Sequence, residues 1–292
     1  MTVEVVVASG KGGTGKTFVS SNLAVYLVGK GVEVVAVDAD VEAPDLLLAL
    51  GGPTRLLWKE VFYGSQVPVI DFSKCVKCWS CISACRFNAI SRGGEGPVID
   101  YDACEGLGVC ALVCPTGALT LKPRRTGEIR VSETSYGVKV ITGELDLGGR
   151  NSGRLVYELK RRGRALGGDV VVVDAAPGIG CPVISSISGA DLLVIVVEPT
   201  PQSLRGAKRL VRVAETLNTE WLALVNKYDI NRGYSAKVVE AFNGRVVGVL
   251  PYDEIAVEAY TSMTPLLMYS PDSPLSKSLR EVLSAISNKV GV

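Results

Sequence analysis

The residues with the clearest chemical potential are cysteines, of which the chain has eight, seven of them between Cys75 and Cys114. The first four follow the spacing Cys-x2-Cys-x2-Cys-x3-Cys from Cys75 to Cys85. Three closely spaced thiolates can hold one face of an iron–sulfur cubane, while the fourth reaches a second cluster. Such crowding favours a metal site over a disulfide scaffold, and this spacing favours iron–sulfur over zinc or free thiols. The sequence therefore predicts an iron–sulfur domain.

The cysteine block contains an internal duplication. Its first, third and fourth cysteines recur 29 positions later as Cys104, Cys110 and Cys114. The block is similar to the two-cluster bacterial ferredoxin, and that resemblance implies crossed ligation of two clusters. It assigns one 4Fe–4S cluster to Cys75, Cys78, Cys81 and Cys114. It assigns the second cluster to Cys85, Cys104 and Cys110.

The second cluster lacks a fourth cysteine, because Leu107 occupies the matching position. Leucine cannot ligate iron. The site could therefore hold a 3Fe–4S cluster, a 4Fe–4S cluster with a water, carboxylate or remote thiolate as fourth ligand, or nothing stable. Glu105 is a candidate carboxylate. Arg86 also departs from the pattern, which has a proline at Pro115, but it is not at a ligand position.

A second chemical feature is the glycine-rich segment from Ser9 to Thr17, which follows the first predicted strand and opens a helix. Glycines let backbone N–H groups surround a polyphosphate, and the helix N-terminus adds partial positive charge. Lys16 would reach the β- and γ-phosphates, and the Thr17 hydroxyl would ligate Mg²⁺. The residues expected to contact the nucleotide here are Gly10, Lys11, Gly12, Gly13, Thr14, Gly15, Lys16, Thr17 and Phe18.

The second lysine of this loop makes it resemble the deviant Walker A motif of the ParA/MinD group of P-loop ATPases. In that group the early lysine, here Lys11, touches the nucleotide of a partner subunit, so the resemblance implies an ATP-sandwich homodimer. The alternative for Lys11 is a solvated loop lysine. The resemblance also implies that Lys11, Lys16 and Asp40 are catalytic, with Asp40 orienting the attacking water. Mg²⁺ would be held by Thr17, Asp40 and Asp174, whereas Asp38 could equally be a capping residue.

Two later segments resemble the loops that bind the base in this group. Asn226-Lys227-Tyr228-Asp229 resembles the Asn-Lys-x-Asp motif, and Pro251, Tyr252 and Asp253 resemble the second loop that faces adenine. The resemblance implies that Asn226 and Lys227 contact the base and that the nucleotide is ATP. The residues alone leave GTP open, and Asp229 could be a simple turn residue.

The eighth cysteine, Cys181, lies alone, seven residues after Asp174. A lone cysteine commonly serves as a small buried hydrophobe. However, the nitrogenase iron protein, which belongs to the same ATPase class, places a cluster-ligating cysteine at a similar spacing. A redox or ligand role for Cys181 is therefore a second interpretation, although no partner ligand is evident.

Strand-like and helical patterns alternate over most of the chain and predict a doubly wound, mostly parallel α/β sheet. The alternation stops between Val61 and Lys122. We predict a P-loop ATPase domain over residues 1–60 and 123–292, interrupted by a small α+β ferredoxin-like domain over residues 61–122. A predicted hairpin, from Ile129–Glu133 to Val138–Leu145, leads back to the main sheet.

The composition excludes several function classes. The chain has no histidine, which excludes Ser-His-Asp catalysis, His-ligated zinc and Rieske clusters. A net charge of +1 argues against a dedicated nucleic-acid binder. No apolar run approaches the length of a membrane span, and no signal peptide precedes the first strand, so we expect a cytoplasmic protein.

The combined motifs leave three functional hypotheses. In the first, ATP binding and hydrolysis gate electron transfer from the clusters to a protein redox partner. In the second, the protein is an ATP-dependent carrier or assembly factor for iron–sulfur or metal cofactors and works with an assembly partner. The third, a positioning ATPase acting on membrane or DNA, is the weakest, because the last predicted helix has few cations and fits a packing role.

Overall fold

A computed structural model of the protein describes residues 2–292 as alternating strands and helices. The strands are β1 (Val3–Ser9), β2 (Val34–Ala39), β3 (Arg55–Phe62), β4 (Ser65–Ile70), β5 (Ile90–Arg92), β6 (Pro97–Ile99), β7 (Leu119–Arg124), β8 (Gly127–Glu133), β9 (Lys139–Leu145), β10 (Val170–Pro177), β11 (Leu192–Val197), β12 (Glu220–Asn226) and β13 (Val246–Leu250). The helices are α1 (Lys16–Gly29), α2 (Leu46–Ala49), α3 (Ser80–Ala84), α4 (Val109–Leu112), α5 (Ser152–Ala165), α6 (Cys181–Ile187), α7 (Pro201–Thr216), α8 (Arg232–Phe242), α9 (Glu254–Thr261), α10 (Leu266–Tyr269) and α11 (Pro274–Val290).

The main sheet has the order β13-β12-β11-β1-β10-β2-β9-β8-β3 among the described residues. The pairs from β13 through to β9 are parallel. The order reverses at β1, because β10 and β11 lie on either side of it. Ligands of doubly wound proteins bind at the carboxyl ends of strands near such a reversal, which is where the glycine-rich loop begins. The predicted doubly wound, mostly parallel fold is confirmed.

Helices cover the sheet because its central strands are apolar on both faces. In β1 and β11, for example, every residue from Val5 to Ala8 and from Leu192 to Val197 is buried. On one face, α1 and α11 pack against the strands through Leu23, Leu279 and neighbouring apolar side chains. Buried strands of this kind require helices on both sides, since neither face can meet water without cost.

The chain divides into two compact units. The larger contains the described residues up to Glu60, Ile129–Glu144 and Ser152–Val292, and the smaller contains Val61–Glu128 and Leu145–Asn151. The ferredoxin-like identity predicted for residues 61–122 stays a prediction.

The smaller unit is built from two antiparallel strand pairs and two short helices. β4 pairs with β7, and β5 pairs with β6. The residues before α3 and α4, Trp79 and Gly108, both have left-handed backbones with φ of 64° and 78°. These positions are 29 residues apart, so the sequence duplication has a matching duplication in backbone conformation.

The predicted hairpin lies at β8 and β9, and β9 joins the main sheet beside β2. Strand β10 extends beyond its apolar residues to Pro177, because residues 174–177 continue the pairing with β2 and β1. Strand β3 was not predicted from the sequence, because its buried and exposed residues do not alternate regularly. No helix among residues 2–292 is long and apolar enough to cross a membrane.

Candidate functional site

The glycine-rich loop connects β1 to α1 and curls in front of the helix N-terminus. Gly15, the residue before α1, has a left-handed backbone with φ of 95°, which glycine adopts without strain. A Cβ on Gly10 would lie 2.3 Å from the backbone of Gly206 in α7. The start of the loop is therefore fixed by backbone packing.

Polar side chains from four segments meet at the first turn of α1. The Thr17 hydroxyl donates to Asp174 Oδ2 at 2.6 Å and lies 3.2 Å from Asp45 Oδ1. Ser20 Oγ donates to the other oxygen of Asp174 at 2.8 Å. Asp45 also accepts a 2.7 Å hydrogen bond from the Tyr260 hydroxyl. These oxygens are the hard ligands that Mg²⁺ prefers.

Burial perturbs the carboxyl groups of this cluster. It raises the pKa of Asp174 to about 6, while Thr17 and the ammonium of Lys16 act in the opposite direction. Burial also raises the pKa of Asp40, again against Lys16. The pKa of Asp38 is raised by complete burial and by Asp174. A cation bound between Asp40 and Asp174 would favour their ionised forms.

Asp38 has a structural role in this arrangement. Its two carboxyl oxygens accept hydrogen bonds from the backbone N–H groups of Asp40, at 3.3 Å, and Leu46, at 2.9 Å. The side chain therefore shapes the segment that carries Asp40 and Asp45. The capping interpretation of Asp38 fits these contacts.

A cavity of about 470 Å³ opens in front of the glycine-rich loop. It is lined by the glycine-rich loop, by the two predicted base-binding segments and by α9. The lining residues from the predicted site are Gly12, Gly13, Gly15, Lys16, Thr17, Phe18, Asp40, Asn226, Lys227, Pro251, Tyr252 and Asp253. The remaining loop residues, Gly10, Lys11 and Thr14, stand outside this lining, whereas Asp174 contacts it through Thr17.

The predicted base-binding loops are held together by their own side chains. Asn226 donates from its amide to Thr14 O at 2.8 Å, so it ties β12 to the glycine-rich loop. Asp229 accepts from the N–H of Tyr252 at 2.7 Å and joins the two loops. Asp253 caps α9 by accepting from Ile255 N. The side chains of Asn226, Asp229 and Asp253 are thus engaged within the protein, whereas Pro251 and Tyr252 line the cavity.

The Lys11 side chain forms an ion pair outside the cavity lining. Its ammonium lies 3.0 Å from Glu198 Oε2, and Glu198 Oε1 lies 2.6 Å from the ammonium of Lys227. Lys227 also donates to Gly13 O at 3.0 Å. One carboxylate thus joins the glycine-rich loop to the base-binding segment.

Sequence reasoning missed Asp45, Glu198 and Tyr260 as members of this site. Asp45 could have been found from the sequence, because it follows Asp38 and Asp40, at the end of β2, by a few residues. Glu198 ends the apolar run of β11, at the same sheet edge as the other acidic residues. Tyr260 carried no signal, because only the packing of α9 brings it to Asp45.

The smaller unit distributes its seven cysteines around two cavities. One is lined by Cys75, Cys78, Cys81 and Cys114. The other, of about 390 Å³, is lined by Cys85, Cys104 and Cys110 together with Glu105 and Leu107. Cys81 and Cys110 are buried, and burial raises the pKa of both thiols. The two groups coincide with the two ligand sets expected from crossed ligation.

The position lacking a cysteine has a specific environment. The Leu107 side chain lies on the lining of the second cavity but is 67% exposed. Glu105, the candidate carboxylate ligand, is ion-paired with Arg150. Arg150 also donates to the carbonyl of Asp102 at 2.8 Å. The Glu105 carboxylate is thus already engaged by a cation.

No three or more His, Cys, Asp or Glu side chains within residues 2–292 are grouped as ligands of a single metal ion. The seven cysteines of the smaller unit line two separate cavities. Cys181 lies in the larger unit, at the start of α6, and is exposed. It is therefore not a buried hydrophobe, and its predicted redox or ligand role stays a prediction.

Comparison with known families places the chain in a defined class. The model of the CobQ/CobB/MinD/ParA nucleotide-binding domain matches residues 5–266. The chain therefore belongs to this family of nucleotide-binding proteins. An uncharacterised protein of Methanocaldococcus jannaschii is 31% identical over 97% of this chain and 96% of its own length. An iron–sulfur cluster carrier protein of Saccharolobus solfataricus is 25% identical over 96% of this chain and 81% of its own length.

Solved structures agree on the fold. The septum site-determining protein MinD of Pyrococcus horikoshii, in complex with Mg-ADP, aligns with a TM-score of 0.63 and 18% identity, covering 100% of this chain and 98% of that one. A ParA family ATPase of Chlorobium tepidum aligns with a TM-score of 0.61 and 18% identity, over 97% and 98% of the two chains. At this level of identity the likeness establishes the architecture.

Proposed function

We propose that this protein binds and hydrolyses MgATP as a homodimer and couples its nucleotide state to iron–sulfur clusters in the smaller unit, gating electron transfer to a protein partner. The observation that carries the proposal is the division of seven cysteines between two cavities, in a chain whose larger unit belongs to a nucleotide-binding family. A redox module and a nucleotide switch in one chain are the parts such gating requires.

The nucleotide part of the proposal rests on the cavity beside the glycine-rich loop. Lys16 is 8% exposed and lines it, so its ammonium can neutralise phosphate charge at low dielectric. Thr17 and Asp174 stand together where the oxygen ligands of Mg²⁺ are needed. Bound Mg²⁺ would neutralise phosphate charge as hydrolysis proceeds. Asp40 lines the same cavity and is our candidate for orienting the attacking water.

The cluster part of the proposal rests on donor chemistry. Thiolates are the usual ligands of iron–sulfur clusters, and four of them surround the first cavity. This set fits a 4Fe–4S cluster. The second set offers three thiolates, with Glu105 engaged by Arg150. That arrangement fits a 3Fe–4S cluster, or a 4Fe–4S cluster whose fourth iron takes a ligand from outside the chain.

A second candidate function is an ATP-dependent carrier of iron–sulfur clusters. The names of relatives such as the Saccharolobus solfataricus carrier protein favour it, and an incompletely ligated cluster would be easier to release.

A positioning ATPase remains the weakest candidate. Its membrane version needs a free amphipathic helix, but the apolar face of α11 is buried in the core through residues such as Leu279 and Ile286.

Electron paramagnetic resonance of anaerobically purified protein tests the proposal. Spectra are recorded as isolated and after dithionite, each with and without MgATP. The proposal predicts cluster signals, including a near-isotropic signal near the free-electron position if the second site holds 3Fe–4S. It also predicts that MgATP shifts the reduced signal or the reduction potential. If MgATP does not change the cluster signals, the cluster-carrier function is favoured over gated electron transfer. A protein that contains no iron would exclude both functions.

A further inference from the structure

A single carboxylate pairs with both Lys11 and Lys227. Glu198 lies in the turn between β11 and α7, and its two oxygens pair separately with Lys11, at 3.0 Å, and Lys227, at 2.6 Å. The Glu198 side chain is 11% exposed, whereas that of Lys11 is 38% exposed. Burial acts to raise the pKa of Glu198, but the two lysines lower it overall, so the carboxylate is ionised near neutral pH.

Lys11 differs from Lys16, the other lysine of the glycine-rich loop, in the surroundings of its side chain. Gly12, Gly13 and the residues from Gly15 to Phe18 line the cavity beside the loop, but Lys11 does not. Its ammonium lies instead against Glu198. In this arrangement the Lys11 ammonium is paired with Glu198 and does not line the nucleotide cavity of its own chain.

The surroundings of Glu198 fix it in place. Its backbone N–H donates to the buried hydroxyl of Ser203 at 2.9 Å. The following helix, α7, meets the start of the glycine-rich loop through Gly206 and Gly10, whose backbones are too close to admit a Cβ. Glu198 and the backbone that carries Lys11 are therefore held by the same packing, and the flexible part of the pair is the lysine side chain.

We propose that Glu198 holds Lys11 on its own subunit until the nucleotide of a second subunit replaces it as the partner of the ammonium. The inference rests on the proposed ATP-bridged homodimer. A lysine ammonium that crosses to the phosphates of another chain must leave Glu198. Leaving Glu198 costs Lys11 a strong charge-assisted hydrogen bond. The phosphates of bound ATP carry enough negative charge to compensate for this loss. Glu198 then acts as a positioning residue that opposes closure of the dimer.

The test measures dimerisation of the full-length protein by analytical ultracentrifugation with Mg²⁺ and a non-hydrolysable ATP analogue. Glu198→Gln keeps the size of the side chain but removes its charge, so it should tighten the dimer by on the order of tenfold. Lys11→Ala combined with Glu198→Gln should lose this gain. Glu215→Gln, on the exposed side of α7, is the matched control and should leave dimerisation unchanged. Affinity for the analogue is measured by calorimetry in all four proteins, so that dimerisation is compared with the nucleotide site of each protein saturated.

The outcomes separate this inference from the proposed function. If the wild type dimerises and Glu198→Gln dimerises equally or more weakly, Glu198 does not restrain Lys11 and the inference is overturned. If only Glu198→Gln dimerises, the inference is supported in its strongest form. If neither protein dimerises although both bind the analogue, the ATP-bridged homodimer itself is excluded, and the inference with it.

Discussion

Thr17 donates a 2.6 Å hydrogen bond to Asp174, although the two residues are 157 positions apart in the chain. The contact joins the first turn of α1 to the end of β10. It brings two proposed Mg²⁺ ligands together. Asp174 is 1% exposed and also accepts from Ser20, so its carboxylate is fixed in position by the protein interior.

The raised pKa of Asp174 makes stability depend on pH. Burial shifts it from 3.8 to about 6, so the folded protein binds this proton more tightly than the unfolded chain does. The resulting stability is present at low pH and is lost as pH rises through about 6. Between pH 5 and 7.5 this single group should remove about 1 kcal/mol from the free energy of unfolding.

Urea denaturation without nucleotide or Mg²⁺ measures this effect. In Asp174→Asn the amide does not titrate, so the difference between the two pH values should shrink by about 1 kcal/mol relative to the wild type. Iron content is measured in each sample to show that cluster loss is equal. An unchanged pH difference in the variant would assign the titration to another group, such as Asp38.

Lys16→Ala should remove nucleotide binding without removing iron. The lysine lines the cavity of the larger unit, whereas the cysteine cavities belong to the smaller unit. We expect affinity for ATP, measured by calorimetry, to fall by about 100-fold or more, the effect of losing a charge-assisted contact. Lys277→Ala, an exposed lysine of α11, is the control. Loss of iron in Lys16→Ala would show that the two units are not independent.

Leu107→Cys should complete the second cysteine set. Leu107 lines the cavity that already contains Cys85, Cys104 and Cys110. If the wild type holds 3Fe–4S, we expect its near-isotropic resonance to disappear and the iron content per chain to rise. Leu112→Cys adds an exposed thiol to the same unit outside this cavity and should change neither quantity. Equal spectra for the two variants would show that the ligand set is misassigned.

Gly10→Ala should destabilise the larger unit, because the new methyl group would lie 2.3 Å from the backbone of Gly206. Neither backbone can move without disturbing β1 or α7, so we expect a loss of roughly 1–3 kcal/mol in the free energy of unfolding. Gly12→Ala is the matched control, since a Cβ there meets nothing within 4 Å. Its stability without nucleotide should lie within about 0.5 kcal/mol of the wild type. Similar losses in both variants would contradict the packing argument.

The sequence by itself determined the local parts of this protein. A Val-rich strand, a glycine loop and a helix are consecutive in the chain, so their order alone predicted the position of Lys16 and Thr17 at the end of the sheet. The resemblance of the cysteine block to the two-cluster ferredoxin likewise implied which cysteines belong to each set, and the same sets line the two cavities. Chemistry carried by neighbouring residues is readable without coordinates.

Only the tertiary structure decided the contacts between distant segments. Tyr260 reaches Asp45 across 215 residues of chain, and Glu198 meets both Lys11 and Lys227, because the parallel sheet brings the ends of separate strands to one edge. Arg150 and Glu105 are likewise brought together by folding, within the smaller unit. Residues far apart in sequence become partners through packing, and no local pattern records which of them meet.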